Sequence, residues 1–225
     1  MLMRFFSLYL ILHSSLCSAE DVFFKNLGFS DDGSCFMFGE YSLEERGYYS
    51  RVYFVDVCKN NFMRPGVYTR VFNEYIDYVD TAEKSLYELL KIVDYRVKGF
   101  NINHLNKGRN IYLYVQDGDP KVDSLDFVDF LTGNRYQVSI NKSFKDSPKS
   151  SAFTISFSVE DDDILVRDIR GIGRENYYRK DVIDYKIRQI FLFPKEDGIV
   201  FVVEKIVLDP SGAKYGRFMV EVHKY

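Results

Sequence analysis

The sequence predicts a mainly antiparallel β protein with one substantial α-helix, and three observations support this prediction. Short segments in which apolar and polar residues alternate recur along most of the chain, most clearly over 152–159, as they do in half-buried strands. Clusters of Gly, Asp, Asn and Pro separate these segments and are typical of turns. Aromatic residues, which favour strands, make up 17% of the chain. Paired strands near both ends indicate a sandwich-like arrangement of β-hairpins.

The clearest of these patterns is a β-hairpin within 28–58. The Asp-Asp-Gly run at 31–33 is typical of a tight turn. Strands are predicted over 35–41 and 51–58, and the polar stretch between them, which contains Gly47, is predicted to join them.

The cysteines of this hairpin suggest a disulfide. If the apolar residues of the two strands share one face, as a sheet packed on a core requires, the pairing sets Cys35 opposite Cys58 on the other face. Those apolar residues are Phe36, Phe38, Val55 and Val57, with Phe36 facing Val57. In an oxidising compartment the bridge would contribute about 3 kcal/mol. The alternative is two unpaired, buried thiols that act as small apolar side chains.

The first 19 residues have the pattern of a secretory signal peptide. Arg4 precedes an apolar run over 5–16, and small residues lead to a predicted cleavage after Ala19. Lipid attachment at Cys17 is a second possibility, although such sites have a small residue where this chain has Leu16. A buried N-terminal helix is a third.

Charge and hydropathy limit the kind of partner. Removing residues 1–19 leaves 225 − 19 = 206 residues, 20–225, which suits a single β-rich domain. Because Arg4 is the only charge lost, the net charge changes from −3 to −4. This acidic balance, without a long Lys/Arg cluster, argues against nucleic acid or an anionic membrane as the main partner. No second apolar run approaches membrane length, so no transmembrane segment is predicted in the mature chain.

One helix is predicted, over 81–95. Its apolar residues recur with helical spacing and form one stripe, which is expected to pack on a sheet. The stripe consists of Ala82, Leu86, Leu89, Leu90 and Val93. Asp80 and Glu83 suggest a capping box, and Gly99 is a suitable stop.

The two ends of the chain suggest an internal repeat. A shift of 165 residues lays 22–59 on 187–224 without a gap, so that the Asp-Gly turn and the loop glycine of each segment coincide. Two related hairpins near the ends of the domain are therefore predicted.

Two family resemblances follow from these segments. The FSDDG turn at 29–33, the FMF strand at 36–38 and the YFVD strand end at 53–56 resemble a TolB-type β-propeller repeat. That resemblance implies a partial-propeller-like arrangement of the hairpins, although Asp31 stands where the repeat has proline. From the signal peptide through FSDDGSCFMFGEY to the closing strands, the chain also resembles a family of predicted secreted bacterial proteins of unknown function. That resemblance implies export and supplies no catalytic residues.

The densest basic segment is a candidate binding patch. It combines cations with aromatic rings, as a surface that grips an anionic polymer or a partner does, although an exposed loop accommodates the same residues. The patch consists of Arg170, Arg174, Tyr177, Tyr178, Arg179 and Lys180. Only two distant histidines, His104 and His223, follow the signal, so neither a metal site nor a cofactor is predicted.

The leading hypothesis for function is a non-enzymatic binding or assembly module of the bacterial cell envelope, with an envelope protein as its partner. It depends on the signal peptide, the hairpins and the lack of a catalytic set. One alternative is a hydrolase of envelope sugars or peptides, for which Glu40 and Asp56 would need to converge in a cleft with one raised pKa. A lipid-anchored surface adhesin is the other alternative.

Overall fold

The structure, a computed structural model, describes residues 22–114, 123–146 and 149–225. The predicted signal peptide, including Cys17, lies outside the described residues. The strands are β1 (Phe23–Ser30), β2 (Cys35–Glu44), β3 (Gly47–Asp56), β4 (Asn61–Phe72), β5 (Ile102–Asn103), β6 (Arg109–Leu113), β7 (Ser124–Val128), β8 (Arg135–Asp146), β9 (Lys149–Asp161), β10 (Ile164–Gly173), β11 (Arg179–Lys180), β12 (Val182–Leu192), β13 (Gly198–Leu208) and β14 (Lys214–Lys224). The helices are α1 (Glu74–Asp77) and α2 (Ala82–Gly99).

The described strands form three sheets, all with antiparallel pairing. Sheet A has the order β4-β3-β2-β1-β5, and sheet B has the order β14-β13-β12-β6. Sheet C has the order β10-β9-β8-β7, with β11 paired to β9. The prediction of a mainly antiparallel, sandwich-like β protein is confirmed.

The sheets stack in layers, with sheet B in the centre. Its strand β13 shows why, because the run 199–203 is apolar at every position, as in a strand buried on both faces. Phe201 and Val203 pack in the core shared with sheet C, whereas Val200 and Val202 pack in the core shared with sheet A. A propeller arranges its sheets radially, so the propeller resemblance is not confirmed.

Helix α2 covers the other face of sheet A and confirms the predicted helix. Leu86, Leu89 and Val93 are buried in the core that α2 shares with sheet A. The cap is Thr81 rather than Asp80, because Thr81 has the extended backbone of an N-cap and its hydroxyl accepts a hydrogen bond of 3.1 Å from the Lys84 N–H. The helix also continues past the predicted end at residue 95.

The tight turn at 31–33 is confirmed and joins β1 to β2. The Gly33 N–H donates to the Ser30 carbonyl at 2.9 Å, and Gly33 has a φ of 74°, which glycine tolerates best. The Asp32 carboxylate accepts hydrogen bonds from the Ser30 hydroxyl at 2.6 Å and from the Ser34 N–H at 2.9 Å. These bonds lower the pKa of Asp32 to about 2.

The hairpin of β2 and β3 is confirmed, but its predicted register is wrong by two residues. Phe36 pairs with Val55 rather than with Val57, because the strands continue through the polar stretch to a two-residue turn at 45–46 that fixes the alignment. The predicted common face is correct, since the four apolar residues all pack in the core between sheets A and B.

This register separates the two cysteines. Cys35 pairs with Asp56, and Cys58 lies in the turn beyond the end of β3. Cys35 is buried, Cys58 is exposed, and both thiols are free in the structure. The opposed pair that the disulfide prediction requires is therefore not formed.

Both segments of the predicted repeat fold as three-stranded meanders. β1, β2 and β3 form one, and β12, β13 and β14 form the other. A shift of 165 residues carries the pair Phe36–Val55 onto Phe201 and Val220, but Phe201 pairs with Glu221. The meanders thus differ in register by one residue, and the relationship between them stays a prediction.

Candidate functional site

A cleft of about 600 Å³ lies along β14, the edge strand of the central sheet B. Sheet A provides one wall through β3 and β4, and the segment from the end of β10 to β12 provides the other. β13 and β14 contribute the side chains between these walls. The site therefore depends on all three sheets.

The charged side chains that line the cleft are almost all cations. Six basic side chains and a single carboxylate, Glu221, line it. The basic residues are Arg51, Arg174, Arg179, Lys180, Lys205 and Arg217. This local excess of positive charge contrasts with the net charge of −3 for the whole chain.

Lys205 is one of two cations in the cleft, with Arg174, that have no ion pair among the described residues. It pairs with Arg217 in the register of β13 and β14, and its side chain makes no hydrogen bond or ion pair with the residues that the structure describes. Burial lowers the pKa of Lys205, the charge of Glu40 opposes this effect, and the charges of Arg179, Arg51 and Arg217 lower the pKa further. Among the described residues, no carboxylate lies within ion-pair distance of this ammonium group, and Glu40 acts on it only from farther away.

Arg217 is held from behind by sheet A. Its guanidinium contacts the Glu44 carboxylate at 2.5 Å and lies over the Tyr49 ring, 4.5 Å from its centroid. Burial lowers the pKa of Arg217, but Glu40 and the hydrogen bond to Glu44 outweigh this effect, so the pKa is raised. Arg217 therefore keeps its charge in a fixed position.

Arg51 is fixed in the same way on β3. Its Nε donates to the Thr69 hydroxyl at 2.7 Å, and its NH1 lies 3.3 Å from the Tyr53 hydroxyl and 3.7 Å from a Glu40 oxygen. These contacts hold the guanidinium at the wall of the cleft.

Glu40 joins sheet A to the edge of sheet B. Its buried carboxylate accepts hydrogen bonds of 2.8 Å from the Phe218 N–H and from the Tyr53 hydroxyl, and one of 3.4 Å from the Tyr49 hydroxyl. A carboxylate with this many donors serves to hold the structure together.

The structure contradicts the hydrolase pair of Glu40 and Asp56. Glu40 lies on the face of sheet A toward sheet B, whereas Asp56 alternates with Val55 and lies on the opposite face. They are also about 17 Å apart along the strand direction, since Asp56 pairs five residues before Glu40. Burial raises the pKa of Asp56, but hydrogen bonds from Lys59 outweigh it and lower the pKa.

The second wall is built around Arg179. This guanidinium lies 5.1 Å from the Phe153 ring centroid, 5.0 Å from that of Tyr177 and 3.8 Å from the Glu221 carboxylate. Burial raises the pKa of Glu221, and the hydrogen bond of 2.5 Å from the Asn60 amide and the charge of Arg179 offset this in part.

The structure brings four of the six residues of the sequence-derived basic patch into the cleft. These are Arg174, Tyr177, Arg179 and Lys180. Arg170 instead pairs with Asp168 at 2.9 Å on the exposed surface, and Tyr178 lies beneath the Lys145 ammonium at 3.7 Å.

Sequence reasoning misses the other three cations of the cleft. Arg51, Lys205 and Arg217 come from strands far apart in the chain, so no local cluster marks them. A signal does exist at Lys205, which closely follows the continuously apolar run 199–203 within the same strand. A charged side chain directly after such a run indicates that the strand becomes partly exposed from that residue onward.

No curated protein and no solved structure matches the chain. Among the helices of the described residues, none is both long and apolar enough to cross a membrane.

A family model described as "Predicted secreted protein" matches residues 38–224. The matched segment includes every residue that lines the cleft. The chain therefore belongs to the DUF2259 family of predicted secreted proteins and is an exported protein.

Proposed function

We propose that this exported protein is a non-enzymatic binding module and that its basic cleft holds an anionic ligand. The observation that carries the proposal is Lys205, whose ammonium faces the cleft without an ion-paired carboxylate among the described residues. A partly buried cation without a partner destabilises a folded protein unless a ligand compensates it. An anion at Lys205 would form charge-assisted hydrogen bonds, which are among the stronger ones in proteins.

The neighbouring cations are preorganised for the same ligand. Arg51 and Arg217 are held from behind by Glu40 and Glu44, and Arg179 is packed between aromatic rings. Side chains that are already ordered lose little conformational entropy when a ligand binds. The cleft also has the volume of a small-molecule site, about 300–1,000 Å³.

A binding role is favoured over hydrolysis because the candidate carboxylate pair is separated by the sheet. A surface adhesin anchored at Cys17 stays an alternative prediction, since that residue lies outside the described part of the chain. The envelope protein partner is likewise a prediction, and the cleft supplies a site at which an anionic group of such a partner would bind.

Calorimetric titration with inorganic pyrophosphate tests the proposal. We expect binding to the wild type, and Lys205→Met should weaken it about tenfold or more, because a hydrogen bond to a charged group is lost. Lys91→Met is the matched control, since Lys91 pairs with Glu88 on the surface of α2, away from the cleft. Equal affinities for the wild type and Lys205→Met would contradict the proposal.

A further inference from the structure

We infer that the ligand of the basic cleft is an acidic oligosaccharide, and this inference rests on the proposed function. The evidence lies in three features of the cleft: the occupied edge of β14, the aromatic rings on its two walls, and the two cations without an ion pair, which come from different elements. Each feature limits the ligand in a different way.

The edge of β14 is closed to an added peptide strand. Edge strands bind peptides through consecutive outward N–H and C=O groups. In this antiparallel strand the backbone N–H and C=O groups of alternate residues face the open edge, and along the cleft these residues are Phe218, Val220 and Val222. The Phe218 N–H already donates a hydrogen bond of 2.8 Å to the Glu40 carboxylate, and the Val222 N–H donates one of 2.9 Å to the side-chain oxygen of Asn60. Along the cleft this leaves only the Val220 N–H to bond an added strand, and a β-ladder needs several consecutive free groups.

The walls offer aromatic faces that suit sugar rings. Phe62 on the sheet A wall is 39% exposed, and Tyr177 on the opposite wall is 55% exposed. A pyranose ring presents an apolar face of C–H groups, which packs against an aromatic ring, while its hydroxyls remain at the edge for hydrogen bonding. Tyr177 also lies against Arg179, so an apolar face and a cation are adjacent. A sugar that bears a carboxylate or a sulfate has the same combination.

The two cations of the cleft that have no ion pair among the described residues come from different elements of the fold. Lys205 lies on β13 in the central sheet, and Arg174 lies just beyond β10 on the second wall. Neither has a carboxylate within ion-pair distance among the described residues. An oligosaccharide of acidic sugars carries several anionic groups and can pair with cations that come from different elements of the cleft. The acidic balance of the rest of the surface opposes long polyanions such as nucleic acid.

Calorimetry with four defined oligomers tests the inference. Two are acidic oligosaccharides, hexagalacturonate and a heparin-derived hexasaccharide; the others are the neutral sugar maltohexaose and the acidic peptide hexaglutamate. We expect at least one acidic oligosaccharide to bind about tenfold more tightly than both maltohexaose and hexaglutamate. Tyr177→Ala should weaken that binding about fivefold, as expected for loss of a ring contact. Tyr78→Ala, at an exposed tyrosine between α1 and α2, should leave it unchanged.

The outcomes separate this inference from the proposed function. If neither acidic oligosaccharide exceeds hexaglutamate, or if Tyr177→Ala has no effect, the inference is wrong. Loss of pyrophosphate binding in Lys205→Met would still support an anion-binding cleft in that case. If Lys205→Met changes the affinity for none of the anions, the proposed function fails as well.

Discussion

The Glu40 carboxylate accepts a hydrogen bond of 2.8 Å from the backbone N–H of Phe218, which lies 178 residues later in the chain. This bond joins the second strand of sheet A to the edge strand of sheet B. It closes one outward N–H of that edge, and the same carboxylate faces Arg51 in the wall of the cleft. One buried acid thus connects the packing of two sheets with the electrostatics of the candidate site.

Replacing Glu40 tests this connection. Glu40→Gln removes the charge, so Arg51 loses its anionic partner and the donors around the carboxylate lose an acceptor. We expect the free energy of unfolding in urea to fall by about 2 kcal/mol, since removing one member of a buried hydrogen-bonded network is costly. Glu45→Gln, in the exposed turn between β2 and β3, is the control and should change it by less than about 0.5 kcal/mol. Equal effects of the two substitutions would show that Glu40 has no special role.

Lys205 predicts a specific dependence of stability on pH. Burial and the nearby arginines lower its pKa below 10.5, so the unfolded chain binds this proton more tightly than the folded protein. The charged Lys205 therefore destabilises the folded protein fully at pH values below its pKa in the folded state. This destabilisation disappears as the pH rises from that pKa to 10.5, the pKa in the unfolded chain. The difference in unfolding free energy between Lys205→Met and the wild type should therefore be most positive near neutral pH and decrease above it. A difference that stays constant up to pH 10.5 would contradict this prediction.

The two cysteines should differ in reactivity. Cys58 is exposed, whereas burial raises the pKa of the Cys35 thiol to about 12, and the thiolate is the reactive form. We expect one thiol of the mature, unreduced protein to react with a maleimide in the native state and two after unfolding. Mass spectrometry of the labelled peptides identifies each site. Absence of reactive thiols in the unfolded, unreduced protein would instead support the disulfide that the sequence suggested.

The contact between α2 and sheet A should be a major source of stability. Leu86 is fully buried there, and Leu86→Ala should lower the free energy of unfolding by about 2–5 kcal/mol through lost burial and the resulting cavity. Ile92→Ala, on the exposed side of the same helix, should cost less than about 1 kcal/mol. Denaturant unfolding of both variants measures the difference. A small effect at Leu86 would mean that the helix contributes little to the fold.

Local patterns were sufficient for the helix and the first hairpin. The stripe through Leu86 and Val93 and the Asp-Gly turn at 32–33 depend on neighbours in the sequence, so their physics can be read without the rest of the fold. The register of β2 and β3 was not predictable in the same way. It depends on a turn of two residues, and the polar composition of 42–50 concealed the strands that lead to it.

The candidate site was predictable only in part. Its second wall is a continuous segment, and the cations and rings of 174–180 were visible as a cluster. The rest of the cleft forms where Arg51, Lys205 and Arg217 meet across two sheets, and nothing local in the sequence specifies how those sheets stack. The separation of Glu40 from Asp56 has the same origin, since strand alternation and register place them on opposite faces.

An NMR titration of the wild type with inorganic pyrophosphate tests the central claim most directly, because backbone amide shifts report where an anion binds. We predict that the amide shift changes cluster at 174–180 and 215–221, two of the segments that line the cleft. The amides of 137–141 in sheet C, away from the cleft, should not move. Shifts that are absent from the cleft, or that spread evenly over the basic residues of the surface, would contradict the account.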